Sequence, residues 1–242
     1  ELDALPPAYR ILEVSADLRQ RQEQYLLQHA PDLAHLVTWL NAPPGSIQGV
    51  VVANEVLDAL PVERFVRRDE GIKQLRVRAG RDGFELAERP APERLAAEVE
   101  RIERDIGENL PDGYVSEVCI ALPGWIAQVS GSLQDGVVLL FDYGVSRLEY
   151  YARERSDGWL RCHFRHHAHN NPLILPGIQD LTAWVDFTSV AGAAVETGLD
   201  VAGFSTQAQF LMAGGLDVEM RSFDKLSLEG QLELSRQIKT LT

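Results

Sequence analysis

Cysteine is nearly missing from this sequence: 242 residues hold only Cys119 and Cys162. Two thiols so far apart build neither a disulfide framework nor a paired Cys-x-x-Cys metal site, and a reducing compartment is the expectation. Long apolar runs are missing as well. None reaches the roughly 18 to 20 residues that a membrane-spanning helix needs, and the opening ELDALPPAYR has neither the basic nor the apolar region of a secretory signal. The reading is a soluble chain with no membrane partner. Positive charge is in short supply: 23 Lys and Arg against 36 Asp and Glu leave a formal net charge of −13. That balance opposes attraction to phosphate backbones and excludes nucleic acid as the main partner. The chain starts without methionine and stops at QIKTLT with no Gly, Pro or polar tail, which reads as a fragment.

What is present suits a globular α/β protein, because 45% hydrophobic residues can fill one large core or two modest ones. Tyr9 to Val14 is a short apolar run followed by Ser15 and a polar stretch, which predicts strand, cap and helix. Leu36 to Leu40 and Ile47 to Ala53 predict two further strands, the latter apolar enough to be covered on both faces. Strands alternating with helices imply a parallel sheet. From Val62 the pattern changes to short β pieces, Glu63–Arg67 and Gln74–Arg78, and then to a helix with Leu95, Val99, Ile102 and Ile106 at helical spacing. The domain reading is therefore an α/β core over 1–61 and 114–242, a β/helical insertion over 62–113, and a long loop over 145–177. Trp125 to Leu133 predicts another helix, and the VVLLFDYG run places 137–141 centrally in the sheet. Downstream, a strand is expected at Ala183–Phe187 and helices near Val190–Thr197, Thr206–Ala213 and Leu226–Ile238.

Four places carry candidate chemistry. In a nucleotide-binding doubly wound sheet, an acid at the end of the second strand accepts hydrogen bonds from ribose hydroxyls, and Glu13 in ILEVS has that position. It is equally the kind of acid that simply faces water. Asn54, Glu55 and Asp58 follow a buried strand directly. Paired acids there suit a cation such as a guanidinium, or accept its proton; the plainer alternative is a helix capped by Asn54 with the acids at its positive end. Asp142, Tyr143 and Gly144 end the other strong strand and would bring a second polar cluster to the same sheet edge, or form a turn in which Gly144 adopts a conformation other residues resist. Gln179 and Asp180 precede an apolar strand that contains Asp186, which faces a site mouth or anchors a turn. Cys162, His163, His166, His167 and His169 match no metal-ligand spacing, so no metal is expected.

Taken in order, ILEVSADLRQRQ, ANEVLDALPVERF, VVLLFDYG and PGIQDLTAWVDFTSV resemble the MidA-like family of S-adenosylmethionine-dependent methyltransferases. That family includes the mitochondrial protein arginine methyltransferase that assists assembly of respiratory complex I. The resemblance implies a class I, Rossmann-like methyltransferase sheet with helices on both faces and inserted segments. It implies S-adenosylmethionine as cofactor, held by Glu13 and Ser15. Asn54, Glu55 and Asp58 would then border the methyl group and a substrate nitrogen, with Asp142, Tyr143, Gly144, Gln179, Asp180 and Asp186 at the rim. It further implies a protein substrate, with arginine favoured, and a bacterial cytoplasmic setting, with the mitochondrial matrix as second choice. Trp184 stands where the family often has histidine, which removes an acid/base side chain from that position. No glycine precedes Gly45, so the family's first strand and its Gly-x-Gly loop have no counterpart here. Loss of that strand would leave sheet edges unpaired. The fragment is therefore expected to bind cofactor weakly and to be inactive by itself. A catalytically silent binding or assembly factor on the same fold is the alternative function, and a nicotinamide-dependent oxidoreductase a remote third.

Overall fold

Ser15 shows how local chemistry starts the fold. Its hydroxyl accepts the Leu18 N–H at 3.3 Å, ending β1 (Tyr9–Leu12) and starting α1 (Ala16–His29) as the sequence order predicts. β2 (Val37–Leu40) then runs parallel to β1, with Tyr9 opposite Val37 and Leu12 opposite Leu40. The computed structural model describes residues 5–165, 167–216, 218, 223 and 226–241 of the protein. The chain divides into two compact units, Glu1–Gly198 and Leu199–Thr242.

A second parallel pair joins β3 (Ile47–Asn54) to β8 (Leu133–Phe141), in register from Val50 opposite Val137 to Asn54 opposite Phe141. α3 (Leu122–Ser132) and α5 (Phe187–Glu196) cover one face of this pair, where Leu122, Ile126, Val190 and Ala193 pack with Leu57 and Val185. The other face differs from expectation. Val50 and Val52 are 63% and 59% exposed, so β3 is not covered on both sides. Nor is β8 central: among the described residues its only strand partner is β3, and β1 pairs only with β2. Apolar side chains and backbone edges thus remain open on β1 and β3, where a continuous parallel sheet would cover both.

The segment after Val62 builds a separate antiparallel sheet in the order β6 (Phe84–Pro90), β5 (Gly71–Ala79), β4 (Glu63–Arg68), β7 (Val115–Val118). It extends past residue 113, because β7 pairs with β4 from Val118 opposite Glu63 to Val115 opposite Val66. α2 (Glu93–Ile106) lays Leu95, Val99 and Ile102 on a core shared with Phe65, Tyr114, Tyr150 and Trp159. Buried within this region, Glu117 accepts hydrogen bonds from Arg64 Nε at 2.9 Å and from the Trp159 N–H at 2.8 Å, while burial pushes its carboxyl pKa up. Gly158 makes this packing feasible. Its φ is +76°, and a Cβ there would lie 2.4 Å from Glu117 Oε2.

The 145–177 segment is more structured than the loop expected from its composition. β9 (Gly144–Val145), α4 (Arg147–Tyr150) and the hairpin of β10 (Leu160–Phe164) with β11 (His167–His169) fall in it, and β10 also pairs with β12 (Asp180–Ala183). β13 (Val185–Asp186) runs parallel to β9 and ends where α5 begins, so the strand expected to run to Phe187 stops one residue earlier. Asp186 causes that switch. Its Oδ1 accepts the N–H groups of Thr188 and Ser189, capping the helix. In the second unit, Thr206 and Gln209 form a reciprocal capping box at the start of α6 (Gln207–Ala213), and α7 spans Leu228–Leu241. Among the described residues no helix is long and apolar enough to cross a membrane.

Candidate functional site

The parallel register of β3 and β8 places Asp142 beside the chain that leaves Asn54. Glu55 N–H donates to the Phe141 carbonyl at 2.8 Å, continuing the ladder by one bond. The backbone then turns sharply, with Glu55 at φ +49°. No helix follows Asn54, so the helix-cap alternative and the expected helical turn both give way to an irregular turn over residues 55–60. Asp142 shapes that turn. Its Oδ2 accepts the N–H groups of Val56, Leu57 and Asp58 at 3.1, 2.8 and 3.3 Å, and its Oδ1 accepts the Tyr143 N–H at 2.9 Å.

Three carboxyl groups therefore gather at the ends of two parallel strands. Asp58 is buried, and its pKa is pushed up to about 6 by burial, then by the nearby charges of Asp142 and Glu55. Among the described residues no ion pair reaches Asp58, Glu55 or Asp142. Burial likewise raises Asp142 against the opposing effect of its backbone donors. Tyr143 is exposed, and the nearby charge of Glu55 raises its phenol pKa. Glu55 and Asn54 are exposed, so the turn presents an open amide and carboxylate above a buried carboxyl. The arrangement is a cluster of carboxyl groups able to attract a cation and, at Asp58, to hold a proton.

The other expected site residues fall elsewhere. Glu13 ends the first parallel pair, where Oε1 accepts the Ser15 N–H at 2.8 Å and Oε2 accepts from Gln22 Nε2 at 3.3 Å. Gln22 in turn accepts from Trp39 Nε1 at 2.8 Å, which holds the carboxylate in place. Each Glu13 oxygen keeps a lone pair for a hydroxyl, whereas Ser15 Oγ is engaged in capping α1. Gly144 does not take the positive φ expected of a turn glycine; its requirement is closeness, since a Cβ would lie 2.3 Å from the Val185 carbonyl. Asp186 is buried. Besides capping α5, it receives Arg147 Nε at 3.0 Å, both side chains being buried. Asp180 pairs with His163 in the β10–β12 ladder, and Gln179 donates to the Pro172 carbonyl at 2.9 Å, so neither bonds to the acidic turn. Cys162 lies buried opposite His169, whose Nδ1 accepts the Asn171 N–H at 3.3 Å; His166 falls outside the described residues. Trp184 stacks on Trp159 at 4.2 Å, and the Ala183 N–H before it reaches the Asp58 carbonyl at 3.0 Å. The reading of the sequence missed Arg147, which no motif marks out, and the backbone N–H groups of residues 56–58, whose convergence exists only once β3 and β8 pair.

Comparison with known proteins adds the following. Residues 4–205 match the family model described as "Putative S-adenosyl-L-methionine-dependent methyltransferase". Among solved structures, a superfamily member and "likely methyl transferase" of Burkholderia thailandensis, bound to S-adenosyl-homocysteine, is similar with a TM-score of 0.87 and 35% identity, covering 97% of this chain and 60% of that one. An uncharacterized protein of that superfamily from the same organism, in its native crystal form, is similar with a TM-score of 0.89 and 36% identity, covering 97% of this chain and 62% of the other. The chain thus spans about three-fifths of the length of these structures. The search of curated proteins found no match.

Proposed function

The chain belongs to the MidA-like family of S-adenosylmethionine-dependent methyltransferases and has its Rossmann-like α/β fold, and from that premise we propose that the protein methylates a side-chain nitrogen of a protein substrate, with arginine favoured. The observation that carries this reading is the cluster of carboxyl groups of Glu55, Asp58 and Asp142, to which no ion pair is formed among the described residues. A substrate guanidinium supplies a cation, and its planar donors suit exposed carboxylate oxygens such as those of Glu55.

S-adenosylmethionine contributes an electrophilic methyl group on sulfonium sulfur, a reactivity that lies in the cofactor itself. The fit of this chain to that cofactor rests on Glu13, whose oriented carboxylate has acceptor capacity for ribose hydroxyls at the end of a parallel strand. A side-chain nitrogen that gained this methyl group would release one proton. Asp58 accepts it. A pKa near 6 leaves this carboxyl ionised at neutral pH yet basic enough to take a proton. Asn54 and Glu55 orient the acceptor over Asp58. The two unpaired cysteines support work in a reducing compartment, with the bacterial cytoplasm favoured, and the net charge of −13 supports a protein rather than a nucleic acid partner.

The 242 residues alone are proposed to bind cofactor weakly and to be inactive. The open edges of β1 and β3, and the remaining two-fifths of the relatives' length, support this reading. Calorimetric titration of these 242 residues with S-adenosylmethionine is expected to show no saturable heat at micromolar cofactor. Saturation there would defeat the claim. For the function itself, the full-length natural protein is expected to transfer a labelled methyl group to an arginine-containing protein, with acid hydrolysis yielding methylarginine. Label recovered only in lysine or at a terminal amine would refute the arginine assignment.

A further inference from the structure

Asp142 is half-buried at the C-terminal end of β8, a place that invites the reading of a substrate-facing acid. Its hydrogen bonds indicate otherwise. Three successive backbone N–H groups, from Val56, Leu57 and Asp58, converge on Oδ2, and Oδ1 receives the Tyr143 N–H. Successive N–H groups turned to one point form an anion-holding concavity, and here the anion is a side chain of the protein itself. No other element provides partners for those three donors among the described bonds, and buried N–H groups without acceptors are costly. Glu55 is held at φ +49°, a conformation that side chains other than glycine adopt only when their surroundings impose it.

We infer that Asp142 is a positioning residue: its carboxylate folds the turn that presents Glu55 and Asp58, and does not itself touch the substrate. This inference rests on the proposed methyl transfer for its kinetic consequence, though its structural half stands apart from it. The geometry follows from the β3–β8 register. Asn54 opposite Phe141 puts Asp142 one residue beyond the last pair, level with the departing chain, so one carboxylate can span the gap between strand ends. Glu55 and Tyr143 are exposed beside the turn, and the buried Asp58 feels the charges of both Asp142 and Glu55. Asp142 thus sets its carboxyl behind the turn that carries Glu55 and Asp58, and a shifted turn misplaces both presented acids together. A misplacement of about 1 Å in such a site costs on the order of 10²-fold in rate.

The test uses the natural protein and its Asp142→Asn variant. Asparagine retains one acceptor oxygen for the turn, loses the charge, and sets an amide against the Tyr143 N–H. The expected result is a fall of about 10²-fold in kcat for an arginine peptide with KM changed less than about threefold, and a carboxyl NMR titration of Asp58 whose midpoint drops below that of the unsubstituted protein. A rise in KM with kcat intact and the Asp58 midpoint unmoved would overturn the inference, since that is the signature of a substrate contact. Should the variant fail to fold, the unsubstituted protein decides. There the amides of Val56, Leu57 and Asp58 are expected to exchange slowly, and the Asp142 carboxyl resonance to stay in place when arginine peptide is added. Coil-like exchange at those amides, or a peptide-induced shift at Asp142 comparable with that at Asp58, would refute it. If the natural protein methylates no arginine, the catalytic reading fails alone, and the exchange and titration results still settle the role of Asp142.

Discussion

Asp58→Asn is expected to lower methyl transfer by about 10²- to 10⁴-fold, the range for a lost general base, while making the protein more stable at pH 7. Both effects come from one property. Burial, Asp142 and Glu55 raise the carboxyl from its ordinary 3.8 to about 6. Between those values the folded chain holds a proton that the unfolded chain has released, so this group favours folding below about pH 4 and that contribution is lost as pH rises through about 6. At pH 7 an ionised Asp58 sits in an acidic, poorly solvated place, and asparagine removes the charge from it. Urea unfolding at pH 7 should therefore give a higher midpoint for the variant, with the advantage shrinking as pH falls from about 6 and gone below about 4. The transfer rate of the unsubstituted protein should rise through a midpoint near pH 6, and that limb should vanish in the variant. Equal rates in the two proteins, or a variant less stable at pH 7, would contradict the assignment. The trade of stability for activity is what a functional acid in such a place entails.

Arg147→Ala is expected to have the largest effect on stability. The guanidinium is only 4% exposed, with Nε 3.0 Å from Asp186, a second nitrogen paired with Asp105, and a third 2.6 Å from Ser189 Oγ. Its own backbone N–H donates to Thr188 Oγ1 at 3.0 Å. These bonds tie α4 to α2 and to the start of α5. Truncation leaves Asp186 buried without its cation, a loss of about 3–5 kcal/mol for a broken buried pair. For a chain of this size that is a fall in Tm on the order of 10 °C. Asp186→Asn should cost less, because the amide oxygen still caps α5. Thermal unfolding of both variants checks the order, and a drop below about 1 kcal/mol for Arg147→Ala would show the pair to be solvated.

The fates of these two acids show where sequence reading succeeds and where it stops. Asp58 stood out because an acid directly after an apolar strand needs a reason to be there, and the structure gives it a buried place beside two other carboxyls. Asp186 stood out for the same reason, flanked by Val and Phe, yet its role is to cap a helix and hold an arginine. Pattern alone could not separate them, since each is an acid among apolar neighbours. What separates them is an ion-pair partner 39 residues away for Asp186, where Asp58 has none among the described residues. Gly144 teaches the same lesson. A turn glycine suggests a positive φ, but here the constraint is the approach of Val185, which only the β9–β13 pairing brings close.

By itself the sequence determined the local elements and the family. Periodicity and caps set β1, α1, β4, β5 and α2 close to where they lie, because these depend on neighbours within a few residues. The four ordered motifs were enough to indicate the family, which the matched model supports. Tertiary structure alone decided that β3 has an exposed face, that the chain after Asn54 turns rather than coils into a helix, and that Asp142 serves the turn. The reason is physical: burial, charge coupling and backbone donor convergence depend on pairs some 85 residues apart, and no local pattern encodes which strand end will face which.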